Sequence, residues 1–408
     1  MLIEILIFLL LGIIAGTLTG LFPGVHINLV GAFLVALSVT AFSSINPLFL
    51  AVFIVSMAIA HTFLDFIPSI FLGCPNDDDT GLSVLPGHEM LKKGQGYEAV
   101  ILTAYGCLMA VFTLLLTSFP LVFIMNRIYD FLKTKYVMAG ILILIAILLI
   151  TSEKGKAKFK ALLVFLLTGA LGLIVLNFKP LSQPLLPLLS GLFGASSIIL
   201  SIKNKIQIPK QVITKPDFRE TLKPLSKAFL GSLISSPVCG FLPGLGSGQA
   251  AVIGNQITKT DRRGFLILLG ATNILVMGFS FISLYAISKT RTGAAAAVSE
   301  LLGNFSWKIL FLFVVVIFIS GIVSFFLTKF FAEFFSRRIT KLSYTKISIA
   351  TLLVLGIIVT VVSGFLGLVI LAVSTLTGIY CISLNVKRTN MMGCLLLSTI
   401  LFYVGIVI

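Results

Sequence analysis

The chain has 408 residues, 58% of them hydrophobic and only 11% charged, against the roughly 25% charge of soluble domains. With a mean hydropathy of +1.13, this excludes a water-soluble globule and predicts an all-α polytopic membrane protein, because the apolar runs have the length of membrane helices. Lys and Arg number 30 against 14 Asp and Glu, a formal charge of +16. The basic residues sit in short segments between apolar runs, where they report topology and headgroup contact, so no nucleic-acid partner is expected. Cys74, Cys107, Cys239, Cys381 and Cys394 are scattered without a C-x-x-C, which predicts neither a disulfide framework nor a metal site. Met1–Glu4 lacks the positive region of a signal peptide, so the first run is expected to be a retained helix.

Uncharged runs fall at about 5–21, 25–42, 47–72, 99–125, 137–151, 161–176 and 188–202. The run at 137–151 is short and flanked by basic segments, which leaves a tilted span or a dipping segment open. Lys203–Lys227 then carries seven basic and two acidic residues with Pro209, Pro216 and Pro224. It is expected to be a cytoplasmic linker, as is the position of the basic stretch Lys329–Lys346. A second set of runs follows at about 228–242, 245–257, 265–288, 309–328, 347–364, 367–384 and 391–408. Within it, the 38 uncharged residues 347–384 are too long for one span of about 20, and Gly364–Gly367 offers the turn. The expected organisation is therefore a first membrane repeat at 1–202, the linker at 203–227 and a second membrane repeat at 228–408.

The two sets share a motif. Gly20-Leu21-Phe22-Pro23-Gly24-Val25-His26 aligns with Gly240-Phe241-Leu242-Pro243-Gly244-Leu245-Gly246 at an offset of 220, and Thr80-Gly81 echoes Thr292-Gly293 after the third run of each half. Pro and Gly interrupt an apolar run at the same place twice, which predicts two inverted-topology repeats with broken helices, re-entrant or discontinuous, at the paired Pro-Gly motifs. A helix restarting after each break would aim unpaired N–H groups and its positive dipole end inward, toward an anion. The polar residues that follow, His26 and Asn28 in one half and Ser247 and Gln249 in the other, can hold an oxyanion without a fixed buried charge.

The third run carries His61 and Asp65, four residues apart and so on one helix face. A carboxylate inside a membrane helix must pair, face water or titrate, which makes Asp65 with His61 the candidate for coupling H⁺ or Na⁺ to substrate movement. Asn76–Gly81 lacks the ligand spacing of a calcium loop and reads as a helix cap or turn. Lys289 and Arg291 read as interfacial anchors or, if they lie near a substrate path, as cations for a carboxylate or phosphate. No Walker lysine motif, G-x-S-x-G elbow or H-E-x-x-H pair is present in the sequence, so an enzyme is not expected.

These blocks resemble the membrane subunit family of the tripartite tricarboxylate transporters, TctA, in a compact archaeal-type branch. The resemblance rests on Gly20–Val25 with Gly240–Gly246, on Ile67–Pro75 running into Leu85–Met90 and Gly94–Ala99, and on Gly270-Ala271-Thr272-Asn273. Here His61–Asp65 stands where the family has a Gly-Gly-Ser stretch, and the last block lacks the family's Glu. The resemblance implies a cation-coupled carboxylate carrier in the cell membrane, working with a small membrane subunit and an extracytoplasmic binding protein. The expectation is a secondary transporter of a small organic anion. Its substrate would be held near the bilayer midplane by Pro23, Gly24, His26, Asn28, Pro243, Gly244, Gly246, Ser247, Gln249 and Asn273, with no cofactor beyond the coupling ion. A polyprenyl-phosphate translocase is the alternative.

Overall fold

In lipid every backbone polar group must be satisfied within the chain, and the computed structural model meets this with helices alone among its described residues. Those are residues 1–22, 27–38, 42–73, 78–132, 134–181, 183–203, 209–213, 218–241, 246–339 and 344–405. The first half is built from α1 (Leu2–Leu21), α2 (Ile27–Ser38), α3 (Pro47–Leu64), α4 (Phe66–Leu72), α5 (Asp78–Leu91) and α6 (Gly96–Leu132). It continues through α7 (Lys135–Thr151), α8 (Ala157–Asn177), α9 (Leu185–Leu189), a π-helical stretch at Ser190–Ala195, and α10 (Ser196–Lys203). The second half comprises α11 (Phe218–Phe241), α12 (Ser247–Thr258), α13 (Arg262–Ile287), α14 (Gly293–Leu302), α15 (Trp307–Ile339), α16 (Tyr344–Ser383) and, after a 3₁₀ turn at Arg388–Met392, α17 (Gly393–Val404). Seven of the described helical segments are long and apolar enough to cross a membrane.

Several of the expected runs are not among these seven spans, and α2 and α12 are clearly too short to be. α2 and α12 have 12 residues each, about 18 Å at 1.5 Å per residue, too short for a core of about 30 Å. The expected turn in the long uncharged stretch falls at Gly364, whose φ of 69° and ψ of −169° interrupt α16. The two arms fold back on each other, with Gly367 against Val359 and Gly356 facing Leu368. A positive φ of this kind is strained for a residue with a Cβ, which is why glycine occupies the corner.

Helix directions follow from which residues meet. Along α1, Gly12, Gly16 and Gly20 lie against Phe53, Met57 and His61 in turn, so α1 and α3 run parallel. Phe8 stacks on Phe49 at 5.6 Å, which puts their starts level. The chain between them, α2 included, therefore returns to the face that α1 left. The second half repeats this arrangement. Gly264 and Gly240 bring α13 and α11 together at Pro224 and Phe279, in parallel, while Gly254 packs on Gly231 and folds α12 back along α11. α6 runs parallel to α13 and antiparallel to α15, the latter through the ring pairs Tyr105–Phe325, Phe112–Phe318 and Phe119–Phe311.

α13 is the central helix, with 94% of its apolar window buried against 22% for Ser348–Ser383. Large apolar side chains point outward elsewhere, among them Leu10 and Ile14 of α1, Leu116 and Phe123 of α6 and Phe365 of α16, as expected when the surrounding solvent is lipid. Part of the expected linker is docked. Gln211 accepts from the Gly96 N–H and donates to the Leu91 carbonyl, and the Val212 N–H donates to the Gly94 carbonyl.

α6 and α13 approach so closely that a Cβ on Gly106 would stand 1.9 Å from the Ile267 carbonyl oxygen, and one on Gly270 2.1 Å from that of Thr103. Neither obstacle is a side chain that can rotate away. Gly106→Leu and Gly270→Leu are each expected to destabilise the fold by about 3 kcal/mol, read as a lower Tm of the detergent-solubilised protein. Gly140→Leu, where nothing lies within 4 Å, is expected to leave Tm nearly unchanged.

Candidate functional site

The third run bends at Asp65. Residue Asp65, at φ −65° and ψ −19°, closes α3 and opens α4. Pro68 has no N–H to return to the Leu64 carbonyl, and the Ser69 N–H reaches the Asp65 carbonyl only at 3.4 Å. The bend turns the Asp65 side chain into the interior, where it and His61 are each about 1% exposed. His61 Nε2 and Asp65 Oδ2 are 3.9 Å apart, beyond the roughly 3.2 Å limit of a hydrogen bond but well within Coulombic reach. The other ring nitrogen, Nδ1, is 3.0 Å from the Thr19 hydroxyl. The Thr19 hydroxyl also donates to the Gly16 carbonyl at 3.2 Å, which leaves its oxygen able to accept from an Nδ1–H. Thr19 stands in the last turn of α1, so the titratable pair is wired to the arm that leads into the first Pro-Gly motif.

In the second half the described part of the motif begins at Gly246, the N-cap of α12. Gln249 accepts from the Gly246 N–H through Oε1 at 2.8 Å, which fixes its amide orientation and leaves the NH₂ as its donor end. Glycine has no side chain to complete a reciprocal cap. Ser247 and Gln249 are buried at this helix start. Asn273 is buried on α13, and its Nδ2 makes no hydrogen bond among the described residues. Asn28 lies in the first turn of α2. Pro23, Gly24, His26, Pro243 and Gly244 lie outside the described residues. His61 and Asp65 are thus brought together, as are Gly246, Ser247 and Gln249. No group of His, Cys, Asp or Glu suited to a metal ion is found among the described residues.

Several polar residues in the interior went unread. Thr19 is one, and a hydroxyl just ahead of the motif glycine was its only signal. Ser69, Ser83 and the Thr80 carbonyl form a cluster between α4 and α5 with contacts of 2.6, 2.7 and 2.9 Å. Ser280 of α13 accepts from the backbone N–H groups of Arg291 and Thr292. Buried Glu98 of α6 pairs with Arg263 of α13 at 2.7 Å. Of the two expected anchors, Lys289 is exposed, whereas Arg291 lies over the Tyr129 ring at 5.9 Å. The first glycine of each motif has a packing role. A Cβ on Gly20 would stand 2.8 Å from the His61 carbonyl oxygen and one on Gly240 2.8 Å from Phe279 Cβ, so each lets its helix close on the third-run helix of its own half.

Long apolar helices with outward apolar side chains and polar groups set inside the bundle define a multi-pass membrane protein. Residues 6–393 match the family described as the tripartite tricarboxylate transporter TctA family. The chain belongs to that family, a transporter family whose systems include other subunits. It is 31% identical over 408 residues to the uncharacterized protein MJ1079 of Methanocaldococcus jannaschii, with 98% of each chain covered. No solved structure matches it.

Thr19→Val keeps the side-chain shape and removes the hydroxyl from His61 Nδ1. It is expected to cost about 1 to 2 kcal/mol, measured as a loss of Tm relative to Thr117→Val, whose hydroxyl contacts only its own helix backbone.

Proposed function

We propose that the protein is a secondary transporter of a small carboxylate-class organic anion, with H⁺ or Na⁺ movement coupled through His61 and Asp65. The observation that carries this reading is the buried His61–Asp65 pair joined through Thr19 to the end of α1, within a chain of a transporter family. A gradient does work only through a group whose occupancy differs between two access states. A titratable pair set beside the arm of a motif hairpin meets that need.

The second part of the proposal is an inverted repeat with re-entrant hairpins. What supports it is an exchange of partners: α2 of the first half packs on α14 of the second, and α12 of the second packs on α5 of the first. Directions agree with it. Phe71 of α4 lies against Gly96, the start of α6, and stacks on Phe335 near the end of α15. The third-run helix of the first half therefore ends at the face where α6 and α13 begin, and α3–α4 and α13 cross in opposite senses. Pro23-Gly24 and Pro243-Gly244 would then meet near the midplane, with the start of α12 directing Gly246, Ser247 and Gln249 at the anion. Lys92, Lys93, Lys259, Arg262 and Arg263 gather at the face where α6 and α13 begin, which is the cytoplasmic face by the positive-inside rule. A small membrane subunit and an extracytoplasmic binding protein would complete the system.

The test is uptake into vesicles carrying imposed proton or sodium gradients. Gradient-driven accumulation of a di- or tricarboxylate is the expected result, and reorientation of polyprenyl phosphate without carboxylate uptake would replace this reading with the lipid-carrier alternative. Asp65→Asn is expected to retain substrate binding but lose accumulation against a gradient, whereas wild-type accumulation would remove Asp65 from the coupling path. Gly244→Val is expected to reduce uptake at least tenfold with normal insertion, since a branched Cβ restricts the backbone at the break.

A further inference from the structure

At the basic face a cavity of about 880 Å³ opens between α5, the corner joining α12 to α13, and the turn at Lys387–Thr389. Its charged lining comprises Lys259, Arg262, Lys387 and Arg388 against Glu89 and Asp261. The acids are engaged: Glu89 pairs with Arg262, and Asp261 Oδ1 accepts the Gly264 N–H at the start of α13. Two of the three remaining cations are held by neutral groups. Arg388 donates from Nη1 to the Ser197 hydroxyl at 2.6 Å, and Lys387 donates from Nζ to the Ser152 carbonyl and hydroxyl at 3.1 Å. Lys259 is exposed, and none of the three side chains forms an ion pair among the described residues; Glu153 accepts the Lys387 backbone N–H at 2.7 Å, and Glu89, held by Arg262, acts on Arg388 through its field. Burial pushes the Arg388 guanidinium down to about 10, so it stays charged at neutral pH while poorly hydrated. His88 adds no charge, because burial first and the neighbouring Lys92 and Arg388 second push it down to about 3.

We propose that this cavity is an anion antechamber, in which Lys259, Lys387 and Arg388 hold a small multivalent carboxylate or a phosphate group at the basic face of the protein. Side-chain cations that a fold positions with hydroxyls and carbonyls, instead of in ion pairs with carboxylates, keep much of their potential for a mobile anion. The lining also includes Leu82 and Pro86 of α5 and Asn255 and Gln256 at the C-terminal end of α12, the helix that begins after Gly246. That the anion passes between chamber and hairpin rests on the transport reading; that the chamber binds anions does not.

Thr389→Cys places a thiol in the lining, and Cys107, Cys239, Cys381 and Cys394 are buried. The full-length variant, in nanodiscs of neutral lipid, is labelled with anionic and cationic methanethiosulfonates of similar size, and the unsubstituted chain supplies the background. The anionic reagent is expected to react roughly tenfold faster at low salt, with the ratio falling toward one at high salt. Millimolar citrate or inorganic phosphate should protect the thiol. Arg388→Gln should abolish both effects, and Lys259→Gln, on an exposed side chain, should weaken them if Arg388→Gln disturbs folding. Protection by citrate or phosphate in neutral lipid assigns the chamber to a soluble anion, and protection only after anionic lipid is added assigns it to a headgroup. Equal rates with the two reagents, or a ratio unchanged by both substitutions, would overturn the proposal. Since labelling requires no turnover, absent carboxylate uptake beside an intact anionic preference would sink the transport reading and leave the chamber standing.

Discussion

The close crossing of α6 and α13 is the contact on which the rest of the helix arrangement depends. Lipid tails are as apolar as leucine, so membrane helices gain nothing from hiding apolar surface in one another and associate through close packing and hydrogen bonds. Gly106 and Gly270 bring the two backbones together reciprocally, and Cys107 Sγ donates to the Gly270 carbonyl across the seam at 3.3 Å. The Glu98–Arg263 pair at the start of both helices fixes their register. Because α6 comes from one half and α13 from the other, this seam joins the halves, and it places α13 at the centre with α11 and α12 wrapped on it.

Polar groups in the interior follow from the same solvent. A carboxylate in lipid is expensive unless the fold supplies contacts for it, and Asp65 is sited where Pro68 has already broken the helical hydrogen-bond ladder. The bend thus serves two ends, redirecting the chain toward α5 and turning a carboxylate toward His61. Ser69 and Ser83 then tie α4 to α5 with hydroxyls, which satisfy the interior without adding charge.

The sequence was legible where physics leaves a composition or a breaker. Apolar run length gave the long helices, and Gly364 gave the corner in α16 because only a residue without a Cβ holds that backbone comfortably. The i, i+4 spacing placed His61 and Asp65 together, since both lie on one helix. Run length failed at α2 and α12: apolar composition marks what lies away from water, and a short helix buried in protein reads like a span. Thr19 was invisible for a related reason. Its partner His61 is 42 positions away, and that contact exists only because glycines at 12, 16 and 20 let α1 and α3 run in parallel at close range. Arg388 and Lys259 gave no signal of their own, because a single sequence reveals a cation but not the cavity that it lines.

The placement of charge also gives the proposed coupling a physical cause. A fixed cation at the proposed anion site would hold a carboxylate tightly and release it slowly, whereas the described groups that the proposal assigns to it are N–H ends, a hydroxyl and amides at Gly246, Ser247, Gln249 and Asn273. Full positive charges stand instead at the basic face, where water lowers their cost. On the transport proposal, an anion entering the interior from that chamber would give up strong partners for weak ones and would also enter the field of Asp65. Two like charges about 8 Å apart at an effective dielectric constant near 20 repel by about 2 kcal/mol, so an anion brought that close to an ionised Asp65 would disfavour the charge and be disfavoured by it. A proton or a sodium ion on Asp65 would remove that repulsion. By reciprocity the anion would then raise the affinity for the ion as much as the ion raised the affinity for the anion, and joint occupancy would become the favoured loaded state without any direct contact between the two.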